Sequence, residues 1–280
     1  MLKMYIFRKR SFSSIISCTI ALLLINITAN AISSYTFVTM QYPLAKVSPN
    51  RSINATPTPI MPFPNTIHTA VNLLRSKDRF FDHGNAKLFE IALTFDDGPN
   101  PPYTSQILNI LRRFHINATF FDIGRQVVVF PNLVQMESIN GNFVENHTWA
   151  HPNLPDLSVP SVQWQISTTS SAIERITGIR PTLLRPPYGA FNLTTLAVIN
   201  TFGLTTITWN IDPQDWSRPG TTTIVNRVLT NVSNGAIILM HDGGGDRSET
   251  VAALPTIIET LLNKGYKFVT IQQMIHNFHR

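Results

Sequence analysis

The chain has 280 residues, of which 43% are hydrophobic and 14% are charged, so it is not a wholly disordered protein and suits one sizeable folded domain with additional segments. Its formal net charge is +6, but Lys3, Arg8, Lys9 and Arg10 supply four of the 22 basic residues, which leaves 18 basic against 16 acidic residues elsewhere, or +2. That balance excludes the strongly basic surface expected of a nucleic-acid-binding protein.

The first 31 residues have the organisation of a secretory signal peptide. The four basic residues precede an apolar run at 15–25, and small residues follow at Ala29 and Ala31. Because a bilayer span takes about 20 apolar residues, we predict cleavage after Ala31, with an uncleaved membrane anchor as the alternative. The protein is expected to be secreted or attached to the cell surface. The single cysteine, Cys18, lies in this segment, so the exported part has no disulfide.

Residues 32–85 are rich in Pro, Ser, Thr and Asn, as in "SPNRSINATPTPIMPFPNT". Such a composition buries too little apolar surface to offset its ordering entropy, and it predicts a linker. A short helical stretch at 70–75 is the one part of it expected to contact the domain that follows, which is predicted to occupy residues 86–280.

From residue 88 onward, short apolar runs alternate with amphipathic stretches. Seven strands separated by six helices predict an α/β fold with a parallel sheet, either a barrel or a doubly wound sheet. The predicted strands are 89–95, 118–124, 143–146, 182–185, 205–210, 236–240 and 267–271, and the predicted helices are 104–114, 132–140, 161–177, 193–201, 221–231 and 249–263.

Polar residues follow these strands at the point where each one ends. In parallel α/β sheets the active site is built at that edge. The residues in question are Asp96 and Asp97 after the first strand, His147 and His151 after the third, Arg185 after the fourth, Asp212 and Asp215 after the fifth, and His241 with Asp242 after the sixth.

The spacing of His147 and His151 in "HTWAH" would bring both imidazoles to one side of a helical turn. Alone, this pattern is more typical of a capped turn or a core pair. With a carboxylate from another strand end, two histidines form a facial triad that binds a divalent transition metal.

The adjacent carboxylates of "TFDDG" can divide the work of a metal-assisted hydrolysis. One can ligate the metal while the other accepts a proton from the attacking water. The alternative is an acidic turn, which accounts for Gly98 and Pro99 but not for two negative charges beside an apolar strand.

Two further motifs offer partners for such a reaction. In "RPPYG", Arg185 can keep Asp96 ionised and oriented, and the backbone N–H after Pro187 is available to an oxyanion; the alternative is a surface ion pair. In "LMHDGGG", His241 near a carboxylate can stay protonated and act as a general acid, although it is equally typical of a turn histidine.

As a set, these motifs resemble those of the polysaccharide deacetylases of the NodB-homology type, carbohydrate esterase family 4. All five motifs of that family are present in order over about residues 88–275: "TFDDG", "HTWAH", "RPPYG", "DPQDW" and "LMH". The resemblance implies a distorted (β/α) barrel of seven or eight units and metal-dependent removal of acetyl groups from N-acetylated sugars.

The resemblance also implies a role for each matching residue. Asp96 would be the general base tuned by Arg185, and His241 the general acid tuned by Asp215. The metal ligands would be Asp97, His147 and His151, the oxyanion donor the backbone N–H of Tyr188, and the walls of the acetyl pocket Trp216 and Leu239. Zinc is the expected metal, with cobalt, nickel or manganese as alternatives, and the expected partner is a glycan such as peptidoglycan or chitin, bound by a monomer.

The chain departs from the family where "GNFVENH" precedes the histidines. Asn142, Phe143 and Glu145 replace the usual His, Glu and Gly, so Glu145 adds a carboxylate near the metal loop and could change metal affinity or local geometry. Two other functions stay open, namely an O-acetyl esterase of the same mechanism, acting on a polymer such as acetylxylan, and a carbohydrate-binding protein without catalysis.

Overall fold

A computed structural model describes residues 65–279 of the chain. The predicted signal peptide at 1–31 and residues 32–64 of the predicted linker lie outside the described residues. Among residues 65–279, none of the helices combines the length and the apolar character that crossing a bilayer requires.

Eight strands within residues 65–279 form one curled parallel sheet. They are β1 (Phe80–Phe81), β2 (Glu90–Asp96), β3 (Thr119–Asp122), β4 (Phe143–Asn146), β5 (Leu183–Leu184), β6 (Thr205–Ile207), β7 (Ala236–His241) and β8 (Lys267–Phe268). The spatial order is β1-β6-β5-β4-β3-β2-β7, and β8 pairs with the start of β2. Because every pairing is parallel, the C-terminal ends of the strands lie at one edge.

The sheet closes toward a barrel after β6. Ile211 forms a parallel bridge with Ile238, in which the Leu239 N–H donates to the Ile211 carbonyl at 2.9 Å. The chain that leaves β6 thereby contacts β7, the strand at the far end of the spatial order. This arrangement is the distorted (β/α) barrel that the sequence predicts.

The longest strands are buried on both faces, which explains their continuous apolar sequences. In β2, Ile91, Leu93 and Phe95 are fully buried, and the ring of Phe95 stacks on that of Phe120 in β3 with centroids 5.1 Å apart. Apolar side chains of the helices that flank β2 and β7 complete this core. The rigid centre of the sheet thus carries the strand ends that bear Asp96 and His241.

Nine helices of the described chain surround the sheet. They are α1 (Asn65–Arg75), α2 (Tyr103–Arg113), α3 (Gly124–Val129), α4 (Pro131–Ile139), α5 (Val159–Thr177), α6 (Leu193–Thr201), α7 (Thr221–Asn231), α8 (Ser248–Asn263) and α9 (Ile271–Asn277). The longest, α5, begins after Ser158, whose side chain accepts a hydrogen bond from the Ser161 N–H, and ends at Gly178 in the left-handed conformation.

The folded domain begins before residue 86, which is its predicted first residue. Within the range 65–85, α1 is present, and β1 pairs with β6. The buried side chains of Val71 and Phe80 pack with Phe191, and the rings of Phe80 and Phe191 meet edge to face at 5.5 Å. Val71 and Phe80 therefore anchor this segment to the rest of the domain, although its surroundings in the sequence are polar.

Two short helices, α3 and α9, were not predicted from the sequence. Gly124, the last residue of the predicted strand 118–124, is the first residue of α3, and Ile271, the last residue of the predicted strand 267–271, is the first residue of α9. In α9 a capping box stops the strand, because the Thr270 side chain accepts from the Gln273 N–H and Gln273 bonds back to the Thr270 N–H.

Asp122 at the end of β3 and Glu137 in α4 are an unexpected pair of fully buried carboxyl groups. They lie within hydrogen-bonding reach of each other, and none of their four oxygens meets another donor among residues 65–279. Two carboxyl groups can hydrogen-bond only when one carries a proton. Burial and the neighbouring negative charge of Asp242 raise the pKa values of both groups well above their ordinary range.

We predict that Glu137→Gln makes the protein less sensitive to alkaline pH. A raised pKa in the folded state means that the pair favours folding at low pH and that this contribution is lost as pH rises toward the folded pKa. The amide donates to Asp122 at any pH, so the variant should be more stable at pH 8 by about 1–3 kcal/mol. Urea unfolding across pH 5–9 measures this, with the exposed Glu259→Gln in α8 as the matched control; parallel curves for the variant and the parent would contradict the shared proton.

Candidate active site

Eight of the ten predicted site residues line one cleft at the C-terminal edge of the sheet. The cleft has a volume of about 480 Å³. The remaining two, Arg185 and Asp215, are buried behind it and contact Asp96 and His241, respectively. The eight residues in the cleft are Asp96, Asp97, His147, His151, Tyr188, Trp216, Leu239 and His241.

Asp97, His147 and His151 converge on one point of the cleft. The Asp97 Oδ1 atom lies 3.2 Å from the His151 Nε2 atom and 3.5 Å from the His147 Nε2 atom. One oxygen and two nitrogen atoms thus lie within 4.8 Å of one another. Asp97 Oδ1 is buried and has no hydrogen-bond partner among the described residues. Because an orphaned carboxylate beside two imidazoles is costly without a cation, the three residues fit a divalent metal.

The protonation of His147 suits a metal ligand. Burial lowers the pKa of its imidazole to about 3, so the ring is neutral at physiological pH. The Nδ1 atom lies 2.7 Å from the carbonyl oxygen of Arg185, which can only accept a hydrogen bond. The proton is therefore on Nδ1, and Nε2 presents its lone pair to the cleft.

The loop between the two histidines is irregular, which corrects the predicted helical turn. Thr148 and His151 have φ values of 67° and 57°, outside the right-handed helical region. Side chains hold the loop in this shape: Asn146 Oδ1 accepts from the Thr148 N–H at 2.8 Å, and Gln165 of α5 accepts from Trp149 and Ala150. Asn146 is fully buried, and its side-chain amide donates to α5, so the start of the loop is anchored to that helix.

Two glycines let the loops after β2 and β7 approach each other closely. A Cβ atom on Gly98 would collide with the carboxyl group of Asp242, and a Cβ atom on Gly243 would collide with the backbone carbonyl of Asp97. Asp97 itself has a φ value of 74°, which turns its side chain away from the line of β2 and toward the histidines. Tight packing of the two loops therefore fixes the orientation of this ligand.

Asp96 lies beside this group and has a different partner. Its Oδ1 atom accepts from the Arg185 Nη1 atom at 2.6 Å, while Oδ2 lies 3.7 Å from the His147 Nε2 atom. Burial raises the pKa of the Asp96 carboxyl, and the charge and hydrogen bond of Arg185 oppose that rise. A carboxylate with a raised pKa is a stronger base than one in water, which suits proton transfer near neutral pH.

Arg185 is fully buried and is held on several sides. Its Nη1 atom also donates to Thr94 Oγ1 at 2.8 Å, and its guanidinium lies 4.2 Å from the ring centre of Phe121. Trp209 covers another side, with its ring centre 5.6 Å away. The interpretation of Arg185 as a surface residue paired with an exposed carboxylate is therefore excluded.

His241 lies at the end of β7 and is paired with Asp215. Its Nδ1 atom lies 2.8 Å from Asp215 Oδ1, and its backbone N–H donates to Asp215 Oδ2 at 2.9 Å. Burial alone would lower the pKa of His241, but the hydrogen bond and charge of Asp215 outweigh it and raise the pKa to about 9. The imidazole is therefore a cation at neutral pH with its Nε2 proton available to the cleft.

The sequence did not single out two residues that shape the cleft. Trp209, just before the predicted strand ends, lines the cleft beside Arg185. Arg247 is buried and connects two loops, since its Nε atom donates to Gly243 at 2.6 Å and its Nη1 atom to the Trp216 carbonyl at 3.4 Å. An aromatic residue at a strand end was a usable signal for Trp209, whereas nothing in the local sequence distinguishes Arg247 from a surface arginine.

Glu145 is close to the metal loop in sequence, but its carboxylate bonds elsewhere. Its Oε2 atom accepts from the backbone N–H groups of Thr182 and Leu183 at 2.8 and 2.7 Å, and Oε1 accepts from Gln272 of α9. Burial raises the pKa of Glu145 to about 8 against the effect of these hydrogen bonds. The residue thus fastens the start of β5, two positions before Arg185, rather than joining the metal ligands.

We predict that Glu145→Ala destabilises the domain by about 1–3 kcal/mol, because the buried Leu183 N–H and the less buried Thr182 N–H lose their acceptor. Glu145→Gln is the matched control, since it keeps an acceptor oxygen and should lose less. Urea unfolding measures the effect, and the folded variants should bind an added divalent metal as well as the parent does. Weaker metal binding at unchanged stability would show instead that the carboxylate serves the metal.

Comparison with known proteins agrees with this geometry. A family model described as polysaccharide deacetylase matches residues 83–207. The chain is 40% identical over 191 residues to a peptidoglycan-N-acetylglucosamine deacetylase of Bacillus cereus, which is 68% of this chain and 89% of that protein. It is 37% identical over 190 residues to a chitooligosaccharide deacetylase of Azorhizobium caulinodans, which is 63% of this chain and 90% of that protein.

A solved structure supports the same relationship. It is a peptidoglycan N-acetylglucosamine deacetylase in complex with a naphthalenyl-N-oxidanyl-benzamide. The TM-score is 0.70 at 35% sequence identity, and the match covers 72% of this chain and 94% of that one. The chain therefore belongs to the polysaccharide deacetylase family.

Proposed function

We propose that the protein is a metal-dependent N-deacetylase that removes acetyl groups from a polysaccharide containing N-acetylglucosamine. The observation that carries the proposal is that Asp96 and His241 line the same cleft as Asp97, His147 and His151. Asp96 is paired with the cation of Arg185, and His241 is paired with the carboxylate of Asp215. The relatives named as peptidoglycan-N-acetylglucosamine and chitooligosaccharide deacetylases support the substrate class.

Amide hydrolysis needs a nucleophile, a stabilised oxyanion and a proton for the leaving nitrogen. When bound to Asp97, His147 and His151, a divalent metal supplies Lewis-acid polarisation and lowers the pKa of water. Asp96 accepts the proton of the water that attacks the acetyl carbon. The base is held in place by Arg185, whose hydrogen bond fixes the orientation of the carboxylate.

The remaining groups act on the acetyl group and the departing amine. The backbone N–H of Tyr188 stabilises the oxyanion, and Trp216 with Leu239 encloses the methyl group. His241 donates its Nε2 proton to the nitrogen as the C–N bond breaks, which leaves acetate and a free amine. Asp215 keeps this imidazole protonated and oriented through the 2.8 Å hydrogen bond.

We propose zinc as the metal, because two imidazole nitrogens and one carboxylate oxygen with open positions are typical of catalytic zinc sites. Cobalt, nickel and manganese also accept this ligand set. A chelator should abolish acetate release, and zinc or cobalt should restore it. Unchanged activity after exhaustive chelation, with no metal left in the protein, would contradict a metal-dependent reaction.

The substrate test compares the full-length metal-loaded protein on peptidoglycan, chitin oligomers and acetylxylan. Acetate should be released from the first two, which carry N-acetyl groups. Faster release from acetylxylan would favour an O-acetyl esterase instead. If no substrate releases acetate although Asp96→Asn binds N-acetylated glycans as well as the parent does, the protein is a carbohydrate-binding protein and the enzymatic proposal fails.

We propose further that the protein works as a monomer outside the cytoplasm, at the cell wall or in the medium. The basic, apolar and small residues of segment 1–31 support export, and peptidoglycan and chitin are extracellular polymers. N-terminal sequencing of the protein recovered from the medium should begin after Ala31. Recovery only in the membrane fraction with residues 1–31 intact would support the uncleaved anchor.

A further inference from the structure

A second depression lies on the outer side of the metal loop, between α3 and α5. It has a volume of about 300 Å³ and is called here the α3–α5 groove. Val128 of α3 forms one wall and Trp149 of the metal loop is part of the lining. The other wall consists of residues of α5, namely Ser167, Thr168, Ser171 and Arg175.

Exposed aromatic surface lies beside the groove, in contact with its lining residue Trp149. Trp164 of α5 is 48% exposed, and its ring meets that of Trp149 edge to face with centroids 5.8 Å apart. On the opposite wall Val128 is 54% exposed. Contiguous exposed apolar surface with polar groups at its rim is typical of a binding site.

The aromatic surface at Trp149 is rigid. Its backbone N–H donates to Gln165 at 2.8 Å, its carbonyl accepts from the Arg125 N–H at 3.1 Å, and Trp149 packs against the buried cluster that contains Val127 and Ile173. A Cβ atom on Gly124 would lie 2.5 Å from the ring, so α3 contacts the indole directly. A site fixed in this way loses little conformational entropy when a ligand binds.

The chemistry of the groove fits a sugar ring. A pyranose has apolar C–H faces that pack on aromatic rings and equatorial hydroxyl groups that need donors and acceptors. Trp149 in the lining, with Trp164 in contact with it beside the groove, offers the first kind of contact, and Ser167, Ser171 and Arg175 offer the second. Arg175 and the absence of any carboxylate from the described lining favour the oxygen-rich surface of a glycan over a basic peptide.

The groove also adjoins the proposed catalytic site. Trp149 is two residues from each metal ligand of the loop, His147 and His151, so its Cα atom is within about 7 Å of each of theirs. The groove is therefore close enough to the cleft for one polymer that extends past this loop to contact both.

We propose that the α3–α5 groove is a second binding site for the polysaccharide, which holds a sugar ring of the same chain outside the catalytic cleft. The proposal rests on the proposed function, since it takes the glycan as substrate. Two linked sites bind a polymer more tightly than a fragment that reaches only one of them. The groove thus selects long chains over short ones.

The test uses the full-length Asp96→Asn protein loaded with zinc, so that binding is measured without turnover. Two variants near the groove are made in this protein. Trp164→Ala removes the exposed ring, and Ser171→Trp fills the groove without truncating a packed side chain. Phe89→Ala is the matched control, because Phe89 is 58% exposed and precedes β2 at the opposite edge of the sheet.

Calorimetry measures the dissociation constants of each variant for a disaccharide of N-acetylglucosamine and for soluble polymer. Circular dichroism verifies that each variant is folded.

Both groove variants should bind the polymer about three- to tenfold more weakly, a larger loss than for the disaccharide, and Phe89→Ala should match the parent. Polymer binding equal to that of the parent, or equal losses on both ligands, would overturn the proposal. Acetate release by the wild-type enzyme is measured separately. If the wild-type enzyme releases no acetate but the groove variants still bind the polymer more weakly, the proposed deacetylation is refuted and the second binding site is supported.

Discussion

Asp96→Asn is expected to retain zinc and to release acetate about 10³-fold more slowly than the parent. The amide is nearly isosteric with the carboxylate, and its oxygen can still accept the hydrogen bond from Arg185, so the fold and the Asp97, His147 and His151 group should persist. An amide cannot accept a proton from water at neutral pH. Zinc content by atomic emission and acetate release under saturating substrate measure the two effects separately.

Asp97→Ala is the variant to compare with it. Asp97 Oδ1 is the only oxygen of the ligand group, and its removal leaves two imidazoles that bind a divalent ion weakly. Metal and activity should therefore be lost together, and a high zinc concentration should restore part of both. If Asp96→Asn lost its zinc, or if Asp97→Ala kept zinc at full occupancy, the division of work between the two carboxylates would be wrong.

The second large effect concerns Asp215 and the dependence on pH. The pKa of His241 is raised to about 9 by Asp215, so kcat/KM should be flat at neutral pH and should fall as pH rises through about 9. Asp215→Asn removes the charge that stabilises the imidazolium. We expect the alkaline limb to move down by about 1–2 pH units, so that the rate at pH 9 falls about tenfold whereas the rate at pH 7 changes by no more than about twofold.

The same pair contributes to stability in a defined pH window. The pKa of His241 is raised from 6.5 to about 9 in the folded protein, so its contribution is complete below about pH 6.5 and is lost as pH rises through about 9. Thermal unfolding of Asp215→Asn should lack this loss. Asp246→Asn, which removes an exposed carboxylate near the cleft, is the control and should keep the parent's pH profile. A loss of stability at alkaline pH that is the same in Asp215→Asn and in the parent would show that Asp215 does not raise the pKa of His241.

The sequence predicted the sheet and the location of the site because both depend on local patterns. Continuous apolar runs such as 91–95 identify strands that are buried on both faces. Once the strands are parallel, their C-terminal ends share one edge, so Asp97 and His147 had to lie near each other. The family resemblance assigned a role to each of these residues, and the structure brings the predicted ligand atoms together.

The parts that were wrong or missed depend on contacts between distant segments. The shape of the loop at Thr148 follows from the side chains of Asn146 and Gln165, which no helical spacing rule includes. The direction of the Glu145 carboxylate follows from the backbone N–H groups of Thr182 and Leu183, which donate to it at the start of β5. The proximity of the Asp122 and Glu137 carboxyl groups becomes evident only when β3 and α4 are packed together.

The most direct test of the account is anomalous diffraction from a crystal of the zinc-loaded protein, recorded at the zinc absorption edge. The account predicts one strong peak between Asp97 Oδ1 and the Nε2 atoms of His147 and His151, with Asp96 outside the coordination shell and bonded to Arg185. A peak at any other position, or one in which Asp96 is a ligand in place of Asp97, would contradict it.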